Sequence, residues 1–150
     1  MLEPGNRAPH FTAYDQNNHR VCLSHLLKNG PLILYFYPAD FTPGCTREAC
    51  HLRDMHAQLL AAKVTVAGVS PQETKSHAAF AAKHSLPFTL LCDPDKVLIK
   101  AYGVNGPLGF GVRRASFLIN TAGMIEDAVL ADLRIDRHAA FFRKAAAKLI

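Results

Sequence analysis

The stretch PLILYFYPADFTPGCTREAC, residues 31–50, changes from one structural rhythm to another within a few positions. Pro31 to Tyr37 is a continuous apolar and aromatic run closed by Pro38, the pattern of a strand covered on both faces. Thr42 then stands where an N-cap belongs, with Pro43 at the first helical position. A helix is expected to run on through Lys63, with Ala49, Leu52, Leu59 and Leu60 near one face. A doubly covered strand feeding a helix is the unit from which α/β folds are built.

The rest of the chain repeats the unit and then departs from it. Val64 to Val69 reads as a second apolar strand, and Ser70 with Glu73 has the spacing of a capping box opening a helix to about His84. A third strand starts at Phe88 and leads through Asp93 and Pro94 into a short helix ending near Tyr102. Residues 102–114 are rich in glycine and read as a long loop. Ala115 to Asn120 and Met124 to Leu130 form two strands joined by a turn at Thr121, Ala122 and Gly123. Asp136 to Ile150 closes the chain as a helix, with Phe142, Ala145, Ala146 and Leu149 at helical spacing. The expected fold class is α/β, a central mixed sheet flanked by helices, in one domain spanning residues 1–150.

At 150 residues the chain can bury roughly 70% of the surface its unfolded form exposes, so the core needs neither disulfide nor metal. The formal charge of +5 is scattered, with no basic stripe of the kind nucleic-acid binding requires. No apolar run is long enough for a signal peptide or a membrane span, so the expected location is the cytoplasm. In that reducing compartment four cysteines are not expected to be structural staples, and a close pair points to redox, catalytic or metal chemistry.

The pair is Cys45 and Cys50. With Thr42 as N-cap, Cys45 falls in the first helical turn, where free N–H groups and the helix dipole favour an anion. A free cysteine is only about 3% thiolate at neutral pH, so a helix start that lowers its pKa toward about 6 would multiply the nucleophile about thirty-fold. Five positions along an ideal helix separate two Cα atoms by about 8.7 Å. A disulfide needs about 4.4–6.8 Å, so bonding this pair requires the helix start to unwind. Zinc is the competing use, with Cys45, Cys50, His51 and His56 as conceivable ligands, but the spacing lacks the usual tight pairs and turns the two thiols to different faces. A C-x-x-C dithiol is absent. On these grounds alone Cys50 is either a buried structural thiol or a partner of Cys45.

The chain resembles the peroxiredoxin family, and within it the bacterioferritin comigratory protein or peroxiredoxin Q group. Pro38, Thr42 and Cys45 match the P-x-x-x-T-x-x-C motif inside the longer match YFYPADFTPGCTREAC, and the segments GNRAPHFTAYDQNN, VTVAGVSPQ, FTLLCDPD, YGV and RRASFLINTAG follow in the family's order. The resemblance implies a thioredoxin-like fold and the reduction of hydrogen peroxide and organic hydroperoxides without metal, haem or flavin. It implies that thioredoxin or a similar donor restores the enzyme. Cys45 takes the peroxidatic role, Thr42 positions the peroxide and Pro38 shields the thiolate. The active-site arginine corresponds to Arg114, with Arg113 one position away. Cys50 matches the resolving cysteine of the subgroup that forms an intramolecular disulfide, and a resolver within the chain suits a monomer. Cys22 and Cys92 receive no role and are expected to be bystanders. Glu48 is either a partner for an arginine, an aid to proton transfer or a solvated helix residue. The competing functions are a general thiol-disulfide oxidoreductase and a non-enzymatic redox sensor.

Overall fold

The computed structural model describes residues 1–148. Along the chain come β1 (Thr12–Tyr14), β2 (Arg20–Cys22), α1 (Leu23–Leu26), β3 (Leu32–Phe36), α2 (Pro43–Ala61), β4 (Thr65–Ser70), α3 (Thr74–His84), β5 (Thr89–Cys92), α4 (Val97–Ala101), β6 (Ala115–Ile119), β7 (Ile125–Leu130) and α5 (Ile135–Lys148). The strands form one mixed sheet in the order β2-β1-β5-β4-β3-β6-β7. The inner strands β3, β4 and β5 are parallel, and both flanks are antiparallel.

Strand β3 is buried at every position because both faces of the sheet are covered. Leu32, Leu34 and Phe36 pack into a core that includes Leu98, Ile99, Tyr102 and Phe117. The alternate residues Ile33, Tyr35 and Tyr37 face the other layer, with Leu52, Leu59, Phe80 and Phe142. This alternation is the period-two geometry of a strand, and it divides one apolar run between two cores. No helix among the described residues is long and apolar enough to cross a membrane.

Two registers bring the functional segments together. Phe36 pairs with Ala115, so the chain leaving β3 toward α2 lies beside the chain entering β6. Ala115 also pairs with Leu130, which sets Asp132 and the start of α5 on the far side of that entrance. The turn between β6 and β7 is closed by Asn120, whose Oδ1 accepts from the N–H groups of Ala122 and Met124. Gly123 supplies its left-handed residue, with φ of 84°.

Several local expectations need correcting. Ser70 does not cap α3: it is the last residue of β4, wholly buried and paired with Cys92, so the sheet claims its backbone and the helix starts at Thr74 after Glu73. Thr42 holds the N-cap position of α2 with Pro43 first in the helix, but its hydroxyl donates to the Ala39 carbonyl at 2.9 Å and does not cap. Ala49, Leu52 and Leu59 are buried as expected, whereas Leu60 is 57% exposed because its side chain points away from the sheet. The short strands β1 and β2 and the helix α1 have no counterpart in the expected elements. Leu149 lies outside the described residues.

Gly68 in β4 shows how tight the second core is. A Cβ built there would sit 2.7 Å from Cζ and 2.8 Å from Oη of Tyr35, whose ring is buried. Tyr35 cannot retreat, because it stacks on Tyr37 at 5.4 Å and meets Phe88 and Phe142 edge-on. Gly68→Ala should therefore cost about 1–3 kcal/mol of stability by overpacking. Adding Tyr35→Phe should recover part of that loss, since it removes one of the clashing atoms. Denaturant midpoints of the two variants check both expectations, and a neutral Gly68→Ala would contradict the packing described.

Candidate active site

Cys45 is the third residue of α2, and the first intrahelical bond runs from the Thr46 N–H to the Thr42 carbonyl at 2.8 Å. The N–H groups of Gly44 and Cys45 precede it and point out of the helix start, where negative charge is favoured. Pro43 supplies no N–H of its own. The Cys45 side chain turns into the core beneath this turn and is 1% exposed.

Arg114 reaches Cys45 from the entrance to β6. Its Nη2 lies 3.2 Å from Sγ, and its Nη1 donates to Glu48 Oε1 at 2.8 Å. The guanidinium is fixed along its length: Nε donates to the Asp132 carbonyl at 3.3 Å, and the Arg114 backbone N–H donates to Asp132 Oδ1 at 2.9 Å. Arg113, in contrast, turns outward and pairs with the other carboxylate oxygen of Asp132 at 2.8 Å, with both side chains partly exposed. Residues adjacent on an extended backbone point to opposite sides, and only Arg114 faces the sulfur.

Glu48 sits one helical turn after Cys45 and is completely buried, so the reading of a solvated helix residue is corrected. Burial pushes its carboxyl up to about 7 despite the adjacent Arg114. Its second oxygen, Oε2, has no hydrogen-bond partner among the described residues and lies 3.4 Å from Nδ1 of His138 on α5. Burial, together with Arg114 and Arg137, lowers His138 to about 4, although its bond to the Ala131 carbonyl works the other way.

Beside the start of α2 lies a cleft of about 910 Å³, lined by Pro38, Thr42, Gly44, Arg114, Phe110 and Ile135 among others, while Cys45 lies behind this lining. Its rim carries two exposed apolar side chains, Phe110 at 78% and Leu133 at 93%, beside the charged Arg47, Arg113 and Asp132. Gly44 is the floor tile next to Arg114: a Cβ there would lie 3.1 Å from Nη2.

The loop between β3 and α2 is anchored from behind. Asp40 is buried and accepts hydrogen bonds from Tyr37 Oη at 2.6 Å, Ser76 Oγ at 2.8 Å and His77 Nδ1 at 2.7 Å. Burial alone would raise the Asp40 carboxyl, but the bonds from His77, Tyr37 and Ser76 outweigh it and hold it below its ordinary value. The other ring nitrogen of His77 faces the Leu91 carbonyl at 3.0 Å, so both nitrogens meet acceptors. The next residue, Phe41, holds a left-handed backbone with φ of 66°, a strained geometry for a bulky side chain. Its ring packs edge-on against Phe80 at 5.2 Å.

Cys50 lies two turns into the same unbroken helix and is half-buried, and all four cysteines are free thiols. Cys92 is half-buried near Thr74, with burial raising its thiol. Cys22 lies near the surface, where the Ser24 hydroxyl at 3.3 Å lowers it. The five residues singled out in the sequence fall at one place or on one helix: Pro38, Thr42 and Arg114 around Cys45, and Cys50 farther along α2. Gly44, Asp132, His138 and Ser116 were not singled out. For Gly44 the signal was its place between Pro43 and Cys45. For the other three, only the register of β6 and β7 reveals the contact.

Comparison with known proteins agrees with this geometry. The AhpC/TSA family pattern matches residues 4–128. The chain is 42% identical over 145 residues to a putative peroxiredoxin bcp of Coxiella burnetii, covering 93% of this chain and 95% of that protein. It is 42% identical over 127 residues to the chloroplastic peroxiredoxin Q of Triticum aestivum, covering 83% of this chain and 58% of that longer protein. Among solved structures, peroxidoxin BcpB of Mycobacterium tuberculosis superposes with a TM-score of 0.90 at 34% identity, over 99% of this chain and 97% of that one. Peroxiredoxin Q of Xanthomonas campestris gives 0.85 at 26% identity, over 99% and 96%. With its thioredoxin-like sheet and a cysteine at the start of α2, the chain belongs to the AhpC/TSA family of peroxiredoxins, among its bacterioferritin comigratory protein and peroxiredoxin Q members.

Proposed function

We propose that this thiol peroxidase works through a sulfenic acid on Cys45 that Cys50 resolves within the same chain. The observation that carries the reading is Arg114, which lines the open cleft and holds Nη2 at 3.2 Å from Cys45 Sγ. A charge-assisted hydrogen bond of this kind favours thiolate over thiol. The thiolate attacks the terminal oxygen of a hydroperoxide: an S–O bond forms, the O–O bond breaks, and the leaving oxygen departs as water or alcohol after taking a proton. Arg114 and the free N–H groups of the first turn stabilise charge moving onto the oxygens. Thr42, whose hydroxyl proton is given to Ala39, offers lone pairs that accept from the peroxide O–H and orient it. Pro38 forms the wall that limits water at the sulfur.

The Cys50 thiolate then attacks the Cys45 sulfur: the S–S bond forms, the S–O bond breaks, and the hydroxyl leaves as water with the proton that Cys50 gave up. Both residues sit in one helix about 8.7 Å apart, so the first turns of α2 unwind at this step. That end is the weak one: it opens with Pro43 and Gly44, has no side-chain cap, and Gly costs about 1 kcal/mol relative to Ala in a helix. A dithiol donor such as thioredoxin reduces the disulfide and restores both thiols. A monomer in a reducing compartment such as the cytoplasm suits this cycle, because no second subunit supplies a reacting group. Hydrogen peroxide fits the cleft, and the apolar side chains of Phe110 and Leu133 at its rim suit the organic part of larger hydroperoxides.

Peroxide consumption coupled to thioredoxin, its reductase and NADPH tests the reading. Cys45→Ser should abolish turnover, and a variant as active as the parent would refute the nucleophile. Arg114→Lys should lower kcat/KM on the order of 10²-fold, since an ammonium cannot serve Cys45 and Glu48 in one plane. Gly44→Ala should cost about 10-fold, because its methyl group pushes Nη2 away from the sulfur while the helix gains propensity. A Gly44→Ala enzyme with full activity and raised stability would show that the position of Arg114 does not limit the rate.

A further inference from the structure

The proposed cycle leaves one buried titratable cluster unused. It consists of Glu48, His138 and Ser116, all with no exposed surface, directly behind Arg114. The hydrogen bonds fix the tautomer of His138. Nε2 lies 3.0 Å from the Ala131 carbonyl, which only accepts, so the proton of the neutral ring is on Nε2 and Nδ1 is a lone pair. That lone pair faces Ser116 Oγ at 2.9 Å and Glu48 Oε2 at 3.4 Å. An ionised Oε2 would set an unpartnered buried anion against a lone pair. A protonated Oε2 would point a hydrogen at an acceptor, and the Ser116 hydroxyl can rotate to leave it room.

We propose that His138 is a positioning residue of the peroxide site, whose Nδ1 accepts the proton of Glu48 Oε2, keeps Glu48 neutral and so leaves the charge of Arg114 to Cys45. The inference rests on the reading of Cys45 as the reacting thiol. Arg114 touches two groups that can each carry a negative charge, Cys45 through Nη2 and Glu48 through Nη1. With one cation between them, charge gained by one is stabilisation lost by the other. The surroundings disfavour the charge on Glu48. Burial raises Glu48 to about 7, and burial with Arg114 and Arg137 lowers His138 to about 4, so below about pH 7 the proton is on the carboxyl and not on the imidazole. The groups facing the cluster are Cys45 on α2, Tyr35 on β3, Arg114 and Ser116 at β6, and Asp132 and Arg137 around α5. Tyr35 Oη is, like Glu48 Oε2, without a hydrogen-bond partner among the described residues, the lone pair that lies 3.4 Å from Oε2 is that of His138 Nδ1, and Arg114 already occupies Oε1.

The test is the rate at which iodoacetamide alkylates Cys45 at about pH 6, read by peptide mass mapping. His138→Phe removes the acceptor, shifts the charge to Glu48 and should slow alkylation about 10-fold. Glu48→Gln placed in the same variant cannot hold that charge, and should restore the rate to within about 3-fold of the parent. A merely structural role for His138 would not be rescued by altering Glu48. An unslowed His138→Phe, or a double variant as slow as the single one, would overturn the proposal. Should His138→Phe fail to fold, infrared spectroscopy of the unaltered protein decides. The C=O band of a protonated buried carboxyl should be present at about pH 6 and missing in Glu48→Gln, and its absence from the unaltered protein would overturn the proposal. Neither readout depends on peroxide turnover, so an active Cys45→Ser enzyme would defeat the peroxidase reading and leave the location of the Glu48 proton to be judged separately.

Discussion

The contact between the Arg114 guanidinium and the Cys45 sulfur is the constraint around which the rest of the site is arranged. The thiolate of the proposed cycle, withdrawn from solvent, needs a permanent positive partner, and a buried guanidinium in turn needs acceptors to hold it. Asp132 takes Nε and the backbone N–H, Glu48 takes Nη1, and the sulfur takes Nη2. The sheet makes this possible, because the pairing of Phe36 with Ala115 brings the end of β3 and the start of β6 side by side. Gly44 completes the arrangement by having no side chain where Nη2 must lie.

A second constraint pulls against the first. The thiol must be held firmly enough to meet a peroxide, yet in the proposed cycle it must leave its place to meet Cys50. The structure distributes rigidity accordingly. Asp40, Tyr37, Ser76 and His77 lock the loop behind the site in a buried network, and Ala49, Leu52 and Leu59 lock the middle of α2 against the sheet. Between these anchors lie Phe41 in a strained backbone, Thr42 without a capping bond, and Pro43 and Gly44. Motion would be confined to a short stretch with fixed ends, which suits a step repeated at every turnover.

Much of this was legible in the sequence because local rules and the tertiary fold agree at β3, at the start of α2 and in the β6–β7 hairpin. Where they disagree, the sheet prevails. Ser70 has the spacing of a capping residue, but pairing with Cys92 keeps it in β4. Strands β1 and β2 have three residues each, too few for alternation to show. The choice between Arg113 and Arg114 depends on strand register, which no local pattern reports, and the same is true of Asp132 and His138. Glu48 was readable in part, since three positions after Cys45 on a helix is the same face. Its burial was not, because it comes from α5 closing over that face.

The most direct test is a non-reducing peptide map of the protein treated with one equivalent of hydrogen peroxide. A single new intramolecular bond joining Cys45 to Cys50 is the result this account requires. In Cys50→Ser the same treatment should leave Cys45 as a trappable sulfenic acid with no disulfide. Oxidation that bypasses Cys45, or a Cys45 bond to Cys92 in place of Cys50, would contradict it.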